Sequence, residues 1–190
     1  MNNTQKSPLQ EAVEQAHAKG RRAVIPFITA GFPDMDSFWT HLERIDAAGA
    51  DIIEIGVPFS DPVADGPVIE DASRDALARG VSLKWILDGL KARKGQFSAK
   101  LALMGYVNPF YQYGLENLAR DAAEAGVYGF IVPDMPLEES GMFRKVFAPY
   151  GLTLVTLVAP NTSVERMKEY KPCTEGFVYV VSALGPTGGK

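Results

Sequence analysis

The chain has 190 residues, 46% of them hydrophobic, which is enough for one well-buried core and too apolar for a disordered or fibrous chain. Its net charge of −4 is spread without a basic block, which argues against nucleic acid as the main partner. One cysteine, Cys173, with His17 and His41, can build neither an internal disulfide nor a zinc site, and no apolar run approaches the ~20 residues of a membrane helix. The polar N-terminal stretch has no signal-peptide segment and, with the lone cysteine, points to a reducing, cytoplasmic setting.

In chain order, residues 9–19 read as an extra helix ahead of the first strand. Strand-like runs then begin near Arg22, Asp51, Lys100, Tyr128, Thr153 and Phe177. Helix-like stretches fill the gaps: residues 35–48, 67–79, 82–94, 115–125, 138–148 and 163–170. Ser82 is a good N-cap, and Gly49, Gly80, Gly126 and Gly151 are good stops. Asn108-Pro109 and Asp134-Met135-Pro136 read as turns. The alternation predicts a parallel sheet with right-handed crossovers, either doubly wound or a (β/α)8 barrel. No G-x-G-x-x-G follows the first strand, which weakens the dinucleotide-binding version. Glu54, Asp65, Tyr106, Asn108, Asp134 and Tyr179 fall after strand ends, where barrel enzymes build their sites.

The most informative stretch is DIIEIGVPFSDPVADGPVIE, residues 51–70. Alternation along its strand puts Ile52, Glu54 and Gly56 on one face and Ile53, Ile55 and Val57 on the other. A carboxylate in an isoleucine run, with another on the loop beyond, is the pattern of a general acid/base pair. Apolar neighbours should raise the pKa of Glu54, while Asp65 should be wetter and stay ionised. The structural alternatives are a buried ion pair for Glu54 and ordinary turn chemistry for Asp61 and Asp65.

From Glu54 to Pro67 the text E-I-G-V-P-F-S-D-P-V-A-D-G-P resembles the signature of the tryptophan synthase alpha subunit family at every fixed position. The similarity continues in Pro26-Phe27-Ile28-Thr29, Met104-Gly105-Tyr106-Val107-Asn108-Pro109, Pro133-Asp134-Met135-Pro136 and Thr187-Gly188. It implies an α/β fold of the (β/α)8 TIM-barrel type. Six strands are legible against a barrel length of ~250 residues, so a single, partial barrel domain over residues 1–190, of about six βα units, is expected.

The resemblance implies retro-aldol cleavage of indole-3-glycerol phosphate to indole and glyceraldehyde 3-phosphate, a carbon–carbon lyase step of tryptophan biosynthesis. No metal or cofactor is implied in this chain. The implied partner is a beta subunit carrying pyridoxal phosphate, in an alpha2beta2 complex. Glu54 matches the proton-transferring acid, Asp65 the group on the indole nitrogen, and Tyr179 the active-site tyrosine. Phe27, Thr29, Met104, Tyr106 and Ile131 match substrate-lining positions, Thr187 the mobile-loop threonine and Gly188 a phosphate-binding glycine. Pro58, Asp61, Asn108 and Asp134 match the side facing the partner, Asp61 matching a residue that pairs with a beta-subunit lysine. The resemblance departs at residues 182–188, where Ala183 and Pro186 replace a commoner pattern, and Pro186 fixes φ in a loop expected to move. Two alternatives stay open: a chain that only docks on the beta subunit, and another phosphate-sugar barrel enzyme.

Overall fold

The structure, a computed structural model, describes residues 6–181. Helix α1 (Pro8–Ala18) starts where the Ser7 hydroxyl accepts from the Leu9 N–H at 3.3 Å, with Pro8 in the first position, where no donor is needed. Strands β1 (Phe27–Thr29), β2 (Ile52–Gly56), β3 (Lys100–Met104), β4 (Val127–Ile131) and β5 (Thr153–Leu154) form one parallel sheet in that spatial order. A doubly wound sheet reverses its order at a switch point; a barrel wall does not. The sheet is therefore an arc of barrel wall, and the doubly wound reading falls.

Two strand expectations change. The run from Arg22 pairs regularly only from Phe27, because Pro26 has no N–H for the ladder, although its carbonyl accepts from the Glu54 N–H at 2.9 Å. The run from Thr153 is divided. Its first half is β5, and the Val155 N–H still donates to Phe130 of β4 at 2.9 Å. Its second half, β6 (Thr156–Val158), pairs with β7 (Val178–Val180) in a separate two-stranded sheet. One extended segment thus pairs first with the strand before it and then with the strand after it, the stagger that curls a sheet into a barrel.

Six helices occupy stretches expected to be helical: α2 (Met35–Ala47), α3 (Pro67–Ala78), α4 (Leu83–Ala92), α6 (Leu115–Ala125), α7 (Ser140–Phe147) and α8 (Val164–Tyr170). Ser82 caps α4 by accepting from the Trp85 N–H at 3.2 Å. Helix α5 (Val107–Tyr113) stands where Asn108-Pro109 was expected to turn. Pro109 lies in its first turn, where the missing N–H has no partner to lose, and the Asp134 carboxylate accepts from the Val107 N–H at 3.0 Å.

The alternation of β2 is realised. Ile53, Ile55 and Val57 pack outward with Leu103 and Phe130 against Phe38, Leu42, Ile86 and Leu118 of the helices. Ile52 faces inward with Ala102, Ile131 and Val155, and α1 covers this inner cluster with Leu9 and Ala12. Gly129 makes room for that plug, since a Cβ there would meet Leu9 Cδ1 at 2.7 Å. With one end of the barrel filled, chemistry is left to the C-terminal ends of the strands. Among the described residues no helix is long and apolar enough to cross a membrane.

Candidate active site

Register builds the inner wall in rows. Phe27, Glu54, Ala102 and Gly129 lie side by side, and one step toward the C-terminal ends come Thr29, Gly56, Met104 and Ile131. Glu54 is 4% exposed, and burial pushes its carboxyl up to about 7; no hydrogen bond or counter-charge offsets this among the described residues. The ion-pair alternative is thereby removed. Tyr179 reaches the same interior from β7, where it pairs with Leu157. Burial raises the Tyr179 hydroxyl first, and the nearby Glu54 carboxylate raises it further.

Above Glu54 lies a cleft of ≈ 310 Å³, open to solvent, lined among others by Phe27, Thr29, Met104, Tyr106 and Asp65. The Phe27 ring lies over Gly56, where a Cβ would meet Phe27 Cζ at 2.5 Å, and the residue is left 37% exposed. An apolar wall facing a carboxylate at the barrel mouth suits a flat aromatic ligand.

Asp65 is half-buried, wetter than Glu54 as expected. Its carboxyl nevertheless also moves upward: burial raises it most, the Tyr106 hydroxyl pulls it back, and Glu70 adds a further rise. The loop that carries Asp65 folds back on the barrel mouth. The Tyr106 hydroxyl accepts from the Ala64 N–H at 3.0 Å, and the Phe59 and Tyr106 rings stand 5.4 Å apart. Tyr106, pushed up to about 12 mainly by burial, thus both lines the cleft and ties the loop.

Other expected residues are placed differently. Ile131 is fully buried in the inner cluster and is not part of the cleft lining. Of the partner-facing set, Asp61, Asn108 and Asp134 are exposed, while Pro58 is buried at the base of its loop. Asp61 accepts from the Ser60 hydroxyl at 2.5 Å, Asn108 accepts from Gln112 at 3.1 Å, and Asp134 caps α5. Thr187 and Gly188 lie outside the described residues. Sequence reasoning missed Ile69 and Ser73 of α3, which line the cleft beside Asp65. The available signal was a serine four residues after Ile69, next to the buried Ala72 and Ala76.

The family model described as tryptophan synthase alpha chain matches residues 13–190. The tryptophan synthase alpha chain of Desulfovibrio desulfuricans is 60% identical over 180 residues, 95% of this chain and 71% of that one. That of Nitratidesulfovibrio vulgaris is 57% identical over 182 residues, covering 96% and 71%. Among solved structures, Mycobacterium tuberculosis tryptophan synthase matches with a TM-score of 0.91 at 34% identity, covering 98% of this chain and 72% of that one. The alpha subunit from Legionella pneumophila matches with a TM-score of 0.88 at 36% identity, covering 94% and 68%. Sequence, barrel wall and acid-bearing strand agree, and the chain belongs to the tryptophan synthase alpha chain family.

Proposed function

We propose that residues 1–190 form a single, partial barrel domain in which Glu54 moves the proton at carbon and Asp65 holds the indole N–H. As a tryptophan synthase alpha chain, the protein is a lyase of tryptophan biosynthesis, cleaving indole-3-glycerol phosphate to indole and glyceraldehyde 3-phosphate. Its partner is the beta chain, in an alpha2beta2 complex; pyridoxal phosphate belongs to that partner and not to this chain.

The cleavage needs a proton delivered to the indole carbon bearing the side chain, and a base for the neighbouring hydroxyl. The carbon–carbon electron pair then flows into the protonated ring, which leaves as indole, and the hydroxyl carbon becomes the aldehyde. The buried Glu54 carboxyl near 7 is the observation that carries this reading, because at neutral pH such a group both gives and takes a proton. Asp65 lines the cleft above Glu54 and would polarise the indole N–H, with Tyr179 near Glu54 below and Phe27 and Met104 against the ring. Thr187 and Gly188, outside the described residues, keep the roles the family resemblance implies, a mobile-loop threonine and a phosphate-binding glycine.

The partner surface would include Asp61, Asn108 and Asp134, and the exposed side chains Val63, Val68 and Tyr111 on the same loops and helices support it. The lone cysteine supports a cytoplasmic setting. Glu54→Gln should lower turnover of indole-3-glycerol phosphate by more than ~10²-fold while substrate still binds. A substrate methylated on the indole nitrogen should be a poor one. Near-normal turnover in Glu54→Gln would overturn the assignment of Glu54, and equal turnover of methylated and parent substrates would overturn that of Asp65.

A further inference from the structure

A second recess, of ≈ 330 Å³, lies between α7 and the β5–β6 segment, away from the cleft. Arg144 enters it from α7 with its side chain 15% exposed. The guanidinium is already committed. It donates to the Leu154 carbonyl at 3.0 Å, to the Thr156 hydroxyl at 3.2 Å and to the Ser140 hydroxyl at 3.3 Å, and the Glu175 carboxylate stands 3.7 Å away. A fork so occupied has little left for an anion, so the recess is not read as a ligand site.

The partners themselves are informative. In a parallel ladder a residue presents its N–H and C=O to the same neighbour, and successive residues alternate. Val155 donates to β4, so Leu154, Thr156 and Val158 face β7. The Val181 N–H takes the Val158 carbonyl at 2.9 Å at one end of this row. At the other end the Leu154 carbonyl lies one step before the first β6–β7 pair, Thr156 with Val178. Among the described residues it is Arg144, not a backbone N–H, that meets it. The same guanidinium holds the side chain of Thr156, where β6 begins. Register in so short a pair is weakly specified by its own bonds, and a shift of one residue would turn Tyr179 to the other face.

We propose that Arg144 is a positioning residue for the reaction: it anchors the start of the β6–β7 ladder and thereby sets Tyr179, through its pairing with Leu157, on the Glu54 side of the barrel. This rests on the reading that Tyr179 belongs to the active site. The competing role is purely structural, a bridge that stabilises α7 on the wall without affecting where Tyr179 sits.

A double-mutant cycle on indole-3-glycerol phosphate cleavage by the intact protein separates the two. Arg144→Met should lower kcat about tenfold, the scale of a modest misplacement, with KM within about twofold. Arg144→Lys, which keeps one donor for the Leu154 carbonyl, should recover most of that loss. In the Tyr179→Phe background, Arg144→Met should cost less than about twofold, because there is no hydroxyl left to misplace. Equal losses in both backgrounds, with Tyr179→Phe itself impaired, would overturn the proposal alone. Full turnover in Tyr179→Phe would overturn the reading of the site and the proposal with it. If Arg144→Met does not fold, Thr156→Val removes one of the three bonds, keeps the charge and runs the same cycle with the same outcomes.

Discussion

Burial favours the neutral carboxyl of Glu54, which therefore keeps its proton to higher pH, and the sign of its pH effect follows. Its carboxyl moves from the ordinary 4.5 to about 7 on burial. Between those values the native chain binds more protons than the unfolded one, so stability falls as pH rises; below 4.5 the effect is absent, and above about 7 it is complete. Such a shift corresponds to roughly 3 kcal/mol lost at alkaline pH. Glu54→Gln should therefore be more stable than the parent protein near pH 8 in urea unfolding, and the gap should close toward pH 4. A gap independent of pH would show that Glu54 is not desolvated. Tyr106 makes a second test. Its hydroxyl holds the Ala64 N–H and pulls the Asp65 carboxyl back toward ordinary acidity. Tyr106→Phe should lower kcat/KM and move the acid limb of its pH profile upward, because ionised Asp65 becomes harder to reach. An unmoved limb would separate Asp65 from that limb.

At the scale of elements, two contacts are sharp enough to test. Asp134 takes the first N–H of α5, and losing such a cap costs about 1 kcal/mol. Asp134→Ala should reduce stability by that amount and loosen α5, read by hydrogen exchange at Val107 and Asn108; unchanged exchange would refute the capping role. Gly89, inside α4, lies under Trp39, and a Cβ there would meet Trp39 Cζ2 at 2.1 Å. Trp39 has little freedom to yield, with Arg93 4.2 Å from its ring and Trp85 packed at 5.0 Å. Gly89→Ala should thus destabilise by about 1–3 kcal/mol despite the helix propensity gained, and a stabilised variant in urea unfolding would contradict the packing. These contacts also mark where legibility in the sequence ends. Helix limits were readable because Ser82 and the glycines Gly49, Gly80, Gly126 and Gly151 act locally; all four glycines have positive φ. Helix α5 was not, because Asn108-Pro109 has turn chemistry and the cap that makes it a first turn comes from Asp134, on another loop.

At the scale of the molecule, the same division governs the site. Glu54 and Asp65 were legible because an acid in an isoleucine run and an acid in a proline-locked loop are local anomalies. Ser73 and Arg144 were not, since their meaning depends on which strands and helices they meet. The barrel wall is also uneven. Strands β2, β3 and β4 are covered on both faces, by the helix layer outside and by α1 and its inner cluster inside. The β6–β7 pair is three residues long, and Val178 and Val180 are exposed. Local opening follows such differences in burial, so the site spans a rigid strand carrying Glu54 and a yielding one carrying Tyr179. Amide exchange should be slowest at Ile53, Leu103 and Phe130 and markedly faster at Val178–Val180. A ligand bridging the cleft contributes most where the free protein opens most easily. An inert analogue of indole-3-glycerol phosphate should therefore slow exchange in β7 by a larger factor than in β2. Equal protection of the two strands without ligand, or an analogue that protects β2 alone, would mean that Tyr179 stands on a wall as firm as that of Glu54.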